Sequence, residues 1–241
     1  MKKLISILLA MIIAMASVSA LAEEFTLHSG TKFGMSLDEV KSIETSNGYT
    51  VENTSLKYAF YDTDGKYYSK ATNALQIKGT MAGIENSTLS YYFNDNNELF
   101  AAVYKFGPLV HEGNIVEYAD IQNTLSQKYS EKWEEVGEGD YPRILDCLYN
   151  ELGYDRRIYS MDTYSIENSD NSQIHINHAL FYQIISGLSD IDCANLGGRH
   201  YLEYRLLSAE ELSANAEAIA QKEAADKQAE QEQQRQKADD L

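Results

Sequence analysis

The residues in this chain best suited to metal chemistry are two histidines three positions apart, in the segment His175-Ile176-Asn177-His178. Imidazole nitrogens are common zinc ligands. The surrounding residues predict a β-strand, however, and positions i and i+3 of a strand point to opposite faces of its sheet. The pair also lacks the His-Glu-x-x-His form of a zinc-protease helix. We therefore expect ordinary strand histidines and no metal site.

Two short acidic segments could supply oxygen ligands for calcium, namely Asp62-Thr63-Asp64-Gly65 and Asp190-Ile191-Asp192. An EF-hand loop needs oxygen ligands at alternate positions and a glutamate at its twelfth position, and neither segment provides the full set. A tight hairpin turn accounts for the first segment. A solvent-exposed loop accounts for the second.

Motifs for nucleophilic or phosphate chemistry are missing from the chain. The sequence has no Gly-x-Ser-x-Gly, no Ser-x-x-Lys with its partner motifs and no phosphate-cradling glycine loop. We expect neither catalytic residues nor a cofactor. A cryptic extracellular hydrolase, with catalytic residues scattered along the chain, remains an alternative.

Tyrosine is unusually abundant, with 18 residues in the chain. A sheet face that bears exposed tyrosines could bind a protein partner or stack on sugar rings. Alternation along a strand sends neighbouring side chains to opposite faces, so a core role for about half of them is the competing interpretation. The candidate partner-binding residues are Tyr58, Tyr61, Tyr67, Tyr91 and Tyr92.

The N-terminus has the features of a secretory signal peptide. Lys2 and Lys3 precede the apolar run Leu4–Ala16. In the following Ser19-Ala20-Leu21-Ala22, small residues occupy positions −3 and −1 relative to the expected cleavage site. The apolar run is short for a transmembrane helix. We expect cleavage near Ala22, secretion out of the cytoplasm and no stable membrane anchor afterwards.

The charge balance excludes some partners, and the two cysteines bear on stability. With 20 basic and 37 acidic residues the net charge is −17, which disfavours binding to nucleic acid or anionic lipid. A disulfide between Cys147 and Cys193 would close a loop of about 46 residues and stabilise the fold by roughly 3–4 kcal/mol. Two separate thiols are the alternative.

The elements follow a repeated order, helix and then antiparallel strands. Ser36 and Glu39 have the spacing of a helix-capping box, and Leu37, Val40 and Ile43 form an apolar stripe that ends at Asn47-Gly48. A second helix is predicted over 115–129 and a third over 142–153. Strands are predicted at 57–62, 66–68, 74–84, 88–93, 99–106, 157–166, 173–182 and 201–207, with a polar helix from Ser208 onwards.

The segment Phe33-Gly34-Met35-Ser36-Leu37-Asp38-Glu39-Val40 resembles the opening motif of the β-lactamase-inhibitor-protein-like superfamily, and the small lipoproteins of outer-membrane assembly are similar there. The resemblance implies a helix packed on an antiparallel sheet, tandem copies of that unit and non-catalytic, protein-binding work. It carries over no active site, because the matching residues are scaffold residues.

The sequence therefore predicts an α+β protein made of two tandem helix-plus-antiparallel-sheet units, each with one buried sheet face. The expected divisions are a signal peptide at 1–22, units at 23–110 and 111–207, and a polar helical or partly disordered tail at 208–241. The expected function is non-enzymatic recognition of a protein partner through a sheet face or the groove between units. A carbohydrate- or cell-wall-binding module is an alternative.

Overall fold

The computed structural model describes residues 25–54, 58–61, 67–69, 73–107, 113–129, 133–134, 156–183 and 186–239. Four predictions lie outside the described residues. They concern the signal peptide at 1–22, the turn at 62–65, the helix at 142–153 and the pairing of Cys147.

The described chain contains ten strands and four α-helices, with a short 3₁₀ turn at His28–Gly30. The strands are β1 Glu52–Thr54, β2 Ala59–Tyr61, β3 Tyr67–Ser69, β4 Asn73–Met81, β5 Ile84–Phe93, β6 Leu99–Phe106, β7 Trp133–Glu134, β8 Arg156–Glu167, β9 Gln173–Gln183 and β10 Gly198–Leu207. The helices are α1 Leu37–Ser46, α2 Asn114–Tyr129, α3 Asp190–Gly197 and α4 Ala209–Asp239.

Eight strands form one antiparallel sheet in the order β1-β4-β5-β6-β10-β9-β8-β7, while β2 and β3 form a separate hairpin. The α+β prediction is confirmed. The prediction of two separate sheets is wrong, because β6 pairs with β10 from His200 opposite Phe106 to Arg205 opposite Ala101. Each strand set would otherwise end in an unpaired edge, and antiparallel pairing of the two edges satisfies both.

Helix α1 begins as its sequence predicts. The Ser36 hydroxyl accepts from the Glu39 backbone N–H at 3.4 Å, and the Glu39 carboxylate accepts from the Ser36 backbone N–H at 2.8 Å. The Ser36 hydroxyl also donates to Glu39 Oε2 at 2.7 Å, and this hydrogen bond together with that from the Ser36 backbone N–H lowers the pKa of the exposed Glu39 carboxyl. Just before the cap, Gly34 has a φ of +82°, and its N–H donates to the Leu99 carbonyl at 2.9 Å. Gly34 therefore ties the entry to α1 to the start of β6.

The hairpin predictions are also confirmed where the structure describes them. The turn between β5 and β6 is held by the Asn94 side-chain oxygen, which accepts from the N–H groups of Asn96 and Glu98 at 3.0 and 2.9 Å. The turn between β8 and β9 is also formed by polar residues, and its Asn171 has a φ of +63°. Asparagine tolerates this left-handed conformation better than most residues do.

The helices α1, α2 and α3 pack on one face of the sheet, which we call the helix face. Val40 of α1 and Leu125 of α2 share a buried cluster with alternate residues of the central strands. The strand members of that cluster include Leu75, Ile77, Leu89, Tyr91, Phe93, Ala102, Tyr164, Ile174, Ile176 and Leu202. Alternate positions along strands and a helical stripe thus form the core, as the sequence pattern predicts.

The opposite face of the sheet is also buried at its centre, so the prediction of a single buried face is wrong. Tyr91 points into the helix-face core and Tyr92 points the other way, yet they are 0% and 5% exposed. The ring of Tyr58 packs edge-on against Tyr92 and Phe100 on this second face, with centroids 5.2 Å apart in each case. Period-2 alternation identifies the two faces but does not tell which face is covered.

The segment at Asp190 forms a helix rather than the predicted solvent loop. Ser189 caps α3 by accepting from the Asp192 backbone N–H at 3.2 Å. Asp190 and Asp192 lie in its first turn, where carboxylates interact favourably with the helix dipole. The two aspartates are therefore explained by their position at the start of a helix and need no calcium ion.

A substitution at Gly198 tests the packing of α3 against the sheet. A Cβ atom there would overlap the Ala194 carbonyl oxygen and lie 3.0 Å from Leu180 Cδ1. We expect Gly198→Ala to lower the free energy of unfolding by roughly 2–3 kcal/mol, measured by urea denaturation. The control is Gly79→Ala, whose added Cβ meets only the edge of the Tyr49 ring, at 3.0 Å. An equal loss in both variants would contradict this account.

Candidate functional site

The tyrosines predicted to bind a partner do not form an exposed surface in the described structure. Tyr58, Tyr91 and Tyr92 are 0%, 0% and 5% exposed. Tyr61 and Tyr67 lie in the hairpin of β2 and β3, and their side chains are outside the described residues. The three buried tyrosines are packing and hydrogen-bonding groups and offer no surface to a partner, while the prediction for Tyr61 and Tyr67 stays a prediction.

The other candidate residues are placed as follows. His175 and His178 lie on opposite faces of β9, as the strand geometry predicts, because Ile174, Ile176 and Leu180 share the helix face with His178. Cys193 is buried in α3 at 1% exposure. Its predicted disulfide stays a prediction, since Cys147 lies outside the described residues.

Glu44 is the centre of a first buried polar cluster, which we call the Glu44 hub. Its side chain is fully buried and accepts a hydrogen bond from the Tyr91 hydroxyl. The Ser29 hydroxyl donates to Glu44 Oε2 at 2.9 Å, and His28 Nδ1 lies 3.1 Å from Oε1. The hub therefore joins the N-terminal segment, α1 and β5 through one carboxylate.

The hub contains the residue types of a serine-hydrolase triad, but its geometry does not permit a proton relay. Ser29 Oγ and the Glu44 carboxylate both contact the same imidazole nitrogen, His28 Nδ1. A relay needs the hydroxyl on one ring nitrogen and the acid on the other. Ser29 also has a φ of +55°, a strained conformation that its hydrogen bonds to the hub compensate. The arrangement anchors the chain.

A second buried cluster contains two histidines in direct contact, which we call the imidazole pair. His178 Nε2 and His200 Nε2 lie 2.5 Å apart, and the two residues are 0% and 1% exposed. The Tyr118 ring of α2 stacks on His178 with centroids 4.1 Å apart. The Tyr118 hydroxyl donates to Asp162 Oδ2, which is 3.8 Å from His178 Nδ1.

The protonation of the imidazole pair follows from its surroundings. Burial lowers the pKa of both histidines, so both are neutral at neutral pH. Burial raises the pKa of Asp162, but the His178 imidazole and the hydrogen bonds from Tyr118 and Gln122 outweigh this effect and hold it below its ordinary value. An ionised Asp162 favours a proton on His178 Nδ1, which leaves His178 Nε2 to accept from His200.

A third cluster lies on the second face of the sheet around Glu203, which is 1% exposed. The Tyr58 hydroxyl donates to its Oε1, and Asn177 Nδ2 donates to Oε2 at 2.9 Å. Burial raises the pKa of Glu203 to about 7, although Tyr58, Arg205 and Asn177 oppose the shift. Arg205 lies on the same strand, with its guanidinium carbon 5.8 Å from the Tyr58 ring centre.

Sequence reasoning missed Glu44, Asp162 and Glu203, although Glu44 and Glu203 each leave a local signal. Glu44 follows Val40 by four positions, on the apolar stripe of α1. Glu203 stands between Leu202 and Tyr204, inside a strand that is apolar on both sides. An acid at a core position indicates a buried, paired carboxylate. The partners of each acid are distant in sequence. The signal therefore identifies the buried acid but not the residues that surround it.

Three large apolar side chains of the described residues are exposed, on or beside two helices that pack together. Val116 of α2 is 64% exposed, Ile191 of α3 is 60% exposed, and Leu188, which precedes the Ser189 cap, is 41% exposed. The two helices pack together, and Asn195 of α3 accepts from the Gly113 N–H next to α2 at 3.1 Å. We call these three residues the apolar helix surface.

Metal binding and membrane insertion receive no support from the described part of the chain. Its His, Cys, Asp and Glu side chains form no group of three or more that could hold a metal ion. Among the described helices, none is long and apolar enough to cross a membrane.

The Glu44 hub makes a clear stability prediction. Glu44→Gln replaces one acceptor oxygen by a donor and removes the charge, so we expect a loss of about 3 kcal/mol in the free energy of unfolding. We also expect faster hydrogen exchange at the Leu27 amide, which donates to the Thr31 carbonyl beside the hub. Glu85→Gln, at an exposed position, is the control. Unchanged exchange at Leu27 would show that the hub does not anchor the N-terminal segment.

Glu203 makes a prediction about pH. Its folded pKa of about 7 exceeds the ordinary 4.5, so between these values the folded chain binds more protons than the unfolded chain. Stability then falls as pH rises through this window, by about 3 kcal/mol from this group. Glu203→Gln should remove that slope in urea denaturation series at several pH values, and exposed Glu167→Gln should retain it. A slope that survives in Glu203→Gln would assign the effect to another group.

Comparison of the chain with known proteins gives no match among family models, curated proteins or solved structures. The family resemblance of the Phe-Gly-Met-Ser segment therefore stays a prediction.

Proposed function

We propose that this chain is an extracytoplasmic, non-enzymatic binding protein that recognises a protein partner through the apolar helix surface. The observation that supports it most directly is the exposure of Val116 and Ile191 on two adjacent helices and of Leu188 just before the second helix. Aliphatic side chains that are 41–64% exposed lose contact with water when a partner covers them, and this burial favours association. The surface replaces the sheet tyrosines of the sequence prediction, because three of those tyrosines are buried.

Charge indicates what kind of partner would fit. Asp190 and Asp192 flank Ile191 in the first turn of α3, and the whole chain has a net charge of −17. A partner with an apolar patch bordered by Lys and Arg would gain both burial and electrostatic attraction. Long-range attraction of this kind raises association rates and weakens with salt.

A non-catalytic role is supported by the burial of the described acid and imidazole clusters. Glu44, Glu203, His178 and His200 are at most 1% exposed. The carboxylate oxygens and the two imidazole Nε2 atoms contact other side chains of the core, which is typical of groups that specify and rigidify a fold. Carbohydrate binding loses its main support, since Tyr58 and Tyr92 have no exposed ring face for a sugar.

We further propose that the sheet derives from two tandem units. The order β1-β4-β5-β6 on one side of the β6–β10 pair and β7-β8-β9-β10 on the other is palindromic, and each strand set is preceded by a helix, α1 or α2. This symmetry supports an internal duplication. Secretion by cleavage near Ala22 and a C-terminal tail over 208–241 belong to the same proposal.

The binding surface can be tested with substitutions that do not touch the core. Val116→Ser and Ile191→Ser should each weaken the affinity for the partner about tenfold, since each removes apolar surface that the partner would bury. Partners are captured from the native culture on the immobilised mature protein and identified by mass spectrometry. The affinity of each purified candidate is then measured by biolayer interferometry at low and high salt.

The matched control is Asn123→Ser, which changes an exposed polar residue of α2. All three variants should keep the unfolding temperature of the wild type. Unchanged affinity in both apolar variants would exclude this surface, and an affinity that rises with salt would contradict the proposed basic partner.

A further inference from the structure

We propose that the imidazole pair is an acid-sensitive latch that holds α2 against the sheet and releases it when the surroundings become acidic. The proposal stands on the position of the pair. His178 and His200 lie on the neighbouring strands β9 and β10. The Tyr118 ring of α2 covers both imidazoles, and its centroid is 4.1 Å from that of His178 and 5.5 Å from that of His200.

The imidazole pair cannot take up added protons without breaking the contact between its two rings. In the neutral state one N–H lies between the two Nε2 atoms, at a separation of 2.5 Å. A first added proton must go to His200 Nδ1, which is buried and has no hydrogen-bond partner in the described structure. A second added proton would place one N–H directly against the other. Both steps put charge into a packed, water-poor site, at a cost that favours opening.

The groups that surround the pair determine its direction of response. The ionised Asp162 of β8 is the charged group that acts on His178, and Tyr118 of α2 covers Asp162 through its hydroxyl. The neighbours of His200 are His178 and the apolar Phe106 ring of β6, whose centroid is 4.6 Å from that of the His200 ring. From α3, Cys193 packs in the same cluster as Tyr118. Among the described residues that act on the pair, Asp162 alone favours protonation, and it acts on His178 and not on His200.

The sign of the pH effect follows. Burial places the folded pKa of each histidine below the ordinary 6.5, so the folded state binds fewer protons than an open state. The contact of α2 with the sheet is therefore fully stable above about pH 6.5 and weakens as pH falls below it. Val116 and Ile191 lie on α2 and the adjoining α3, so opening would also disturb the apolar helix surface. The latch itself does not depend on that proposed surface.

The test follows α2 in the mature wild-type protein by hydrogen exchange between about pH 8 and pH 4. Protection factors are corrected for the intrinsic pH dependence of exchange. We expect protection over Asn114–Tyr129 to fall at least about tenfold on acidification, while α1, Leu37–Ser46, stays protected. Nitrogen-15 NMR of the imidazoles should show both histidines neutral until α2 opens.

Two variants complete the test. His200→Gln removes one titrating ring, so the pH dependence of opening should fall from about two protons to about one. His175→Gln, which changes the histidine on the second face of the same strand, should leave it unchanged. The proposal is overturned if α2 and α1 lose protection together, or if the imidazoles become charged while α2 stays protected. The wild-type measurements decide the question even where His200→Gln fails to fold.

Discussion

The antiparallel pairing of β6 with β10 is the constraint on which the rest of this fold depends. It converts two strand sets into one sheet of eight strands and places β10 at the centre. Because side chains alternate along a strand, β10 then presents His200 to the helix face and Glu203 to the opposite face. Two of the three buried polar clusters are therefore built on one strand, three positions apart. A sheet edge at this place would leave both groups in water, with ordinary protonation.

Burial on both faces explains why the acids are so heavily hydrogen-bonded. A charge in the interior is tolerated only when several donors replace its water shell. Glu44 receives Tyr91 and Ser29 together with the His28 imidazole, and Asp162 receives Tyr118 and Gln122. Glu203 also has two donors, Tyr58 and Asn177, but its burial outweighs them and raises its pKa to about 7. For Asp162 and Glu203 the balance between burial and these hydrogen bonds thus sets the direction of the pKa shift.

Local features of this fold could be predicted from the sequence, and the polar clusters could not. The Ser36 cap, the Asn94 turn and the strand alternation each depend on residues within about five positions of one another, so a pattern can identify them. The Ser189 cap of α3 is an equally local feature, but the acidic residues that follow it are also typical of a loop, and the sequence prediction chose the loop. In contrast, the Tyr58 hydroxyl meets Glu203 across 145 positions. Only the β6–β10 pairing brings such residues together, and no local pattern predicts that pairing.

The same topology is compatible with the proposed binding role. The Glu44 hub fixes the N-terminal segment and α1 on one strand set, and the Tyr118 contact fixes α2 on the other. Polar contacts of this kind are directional, so they hold a helix in one orientation where apolar packing alone would permit several. A surface carried on helices fixed in this way is preorganised, and less free energy is then lost in ordering it when a partner binds. The buried acids and imidazoles would in this way serve recognition without touching the partner.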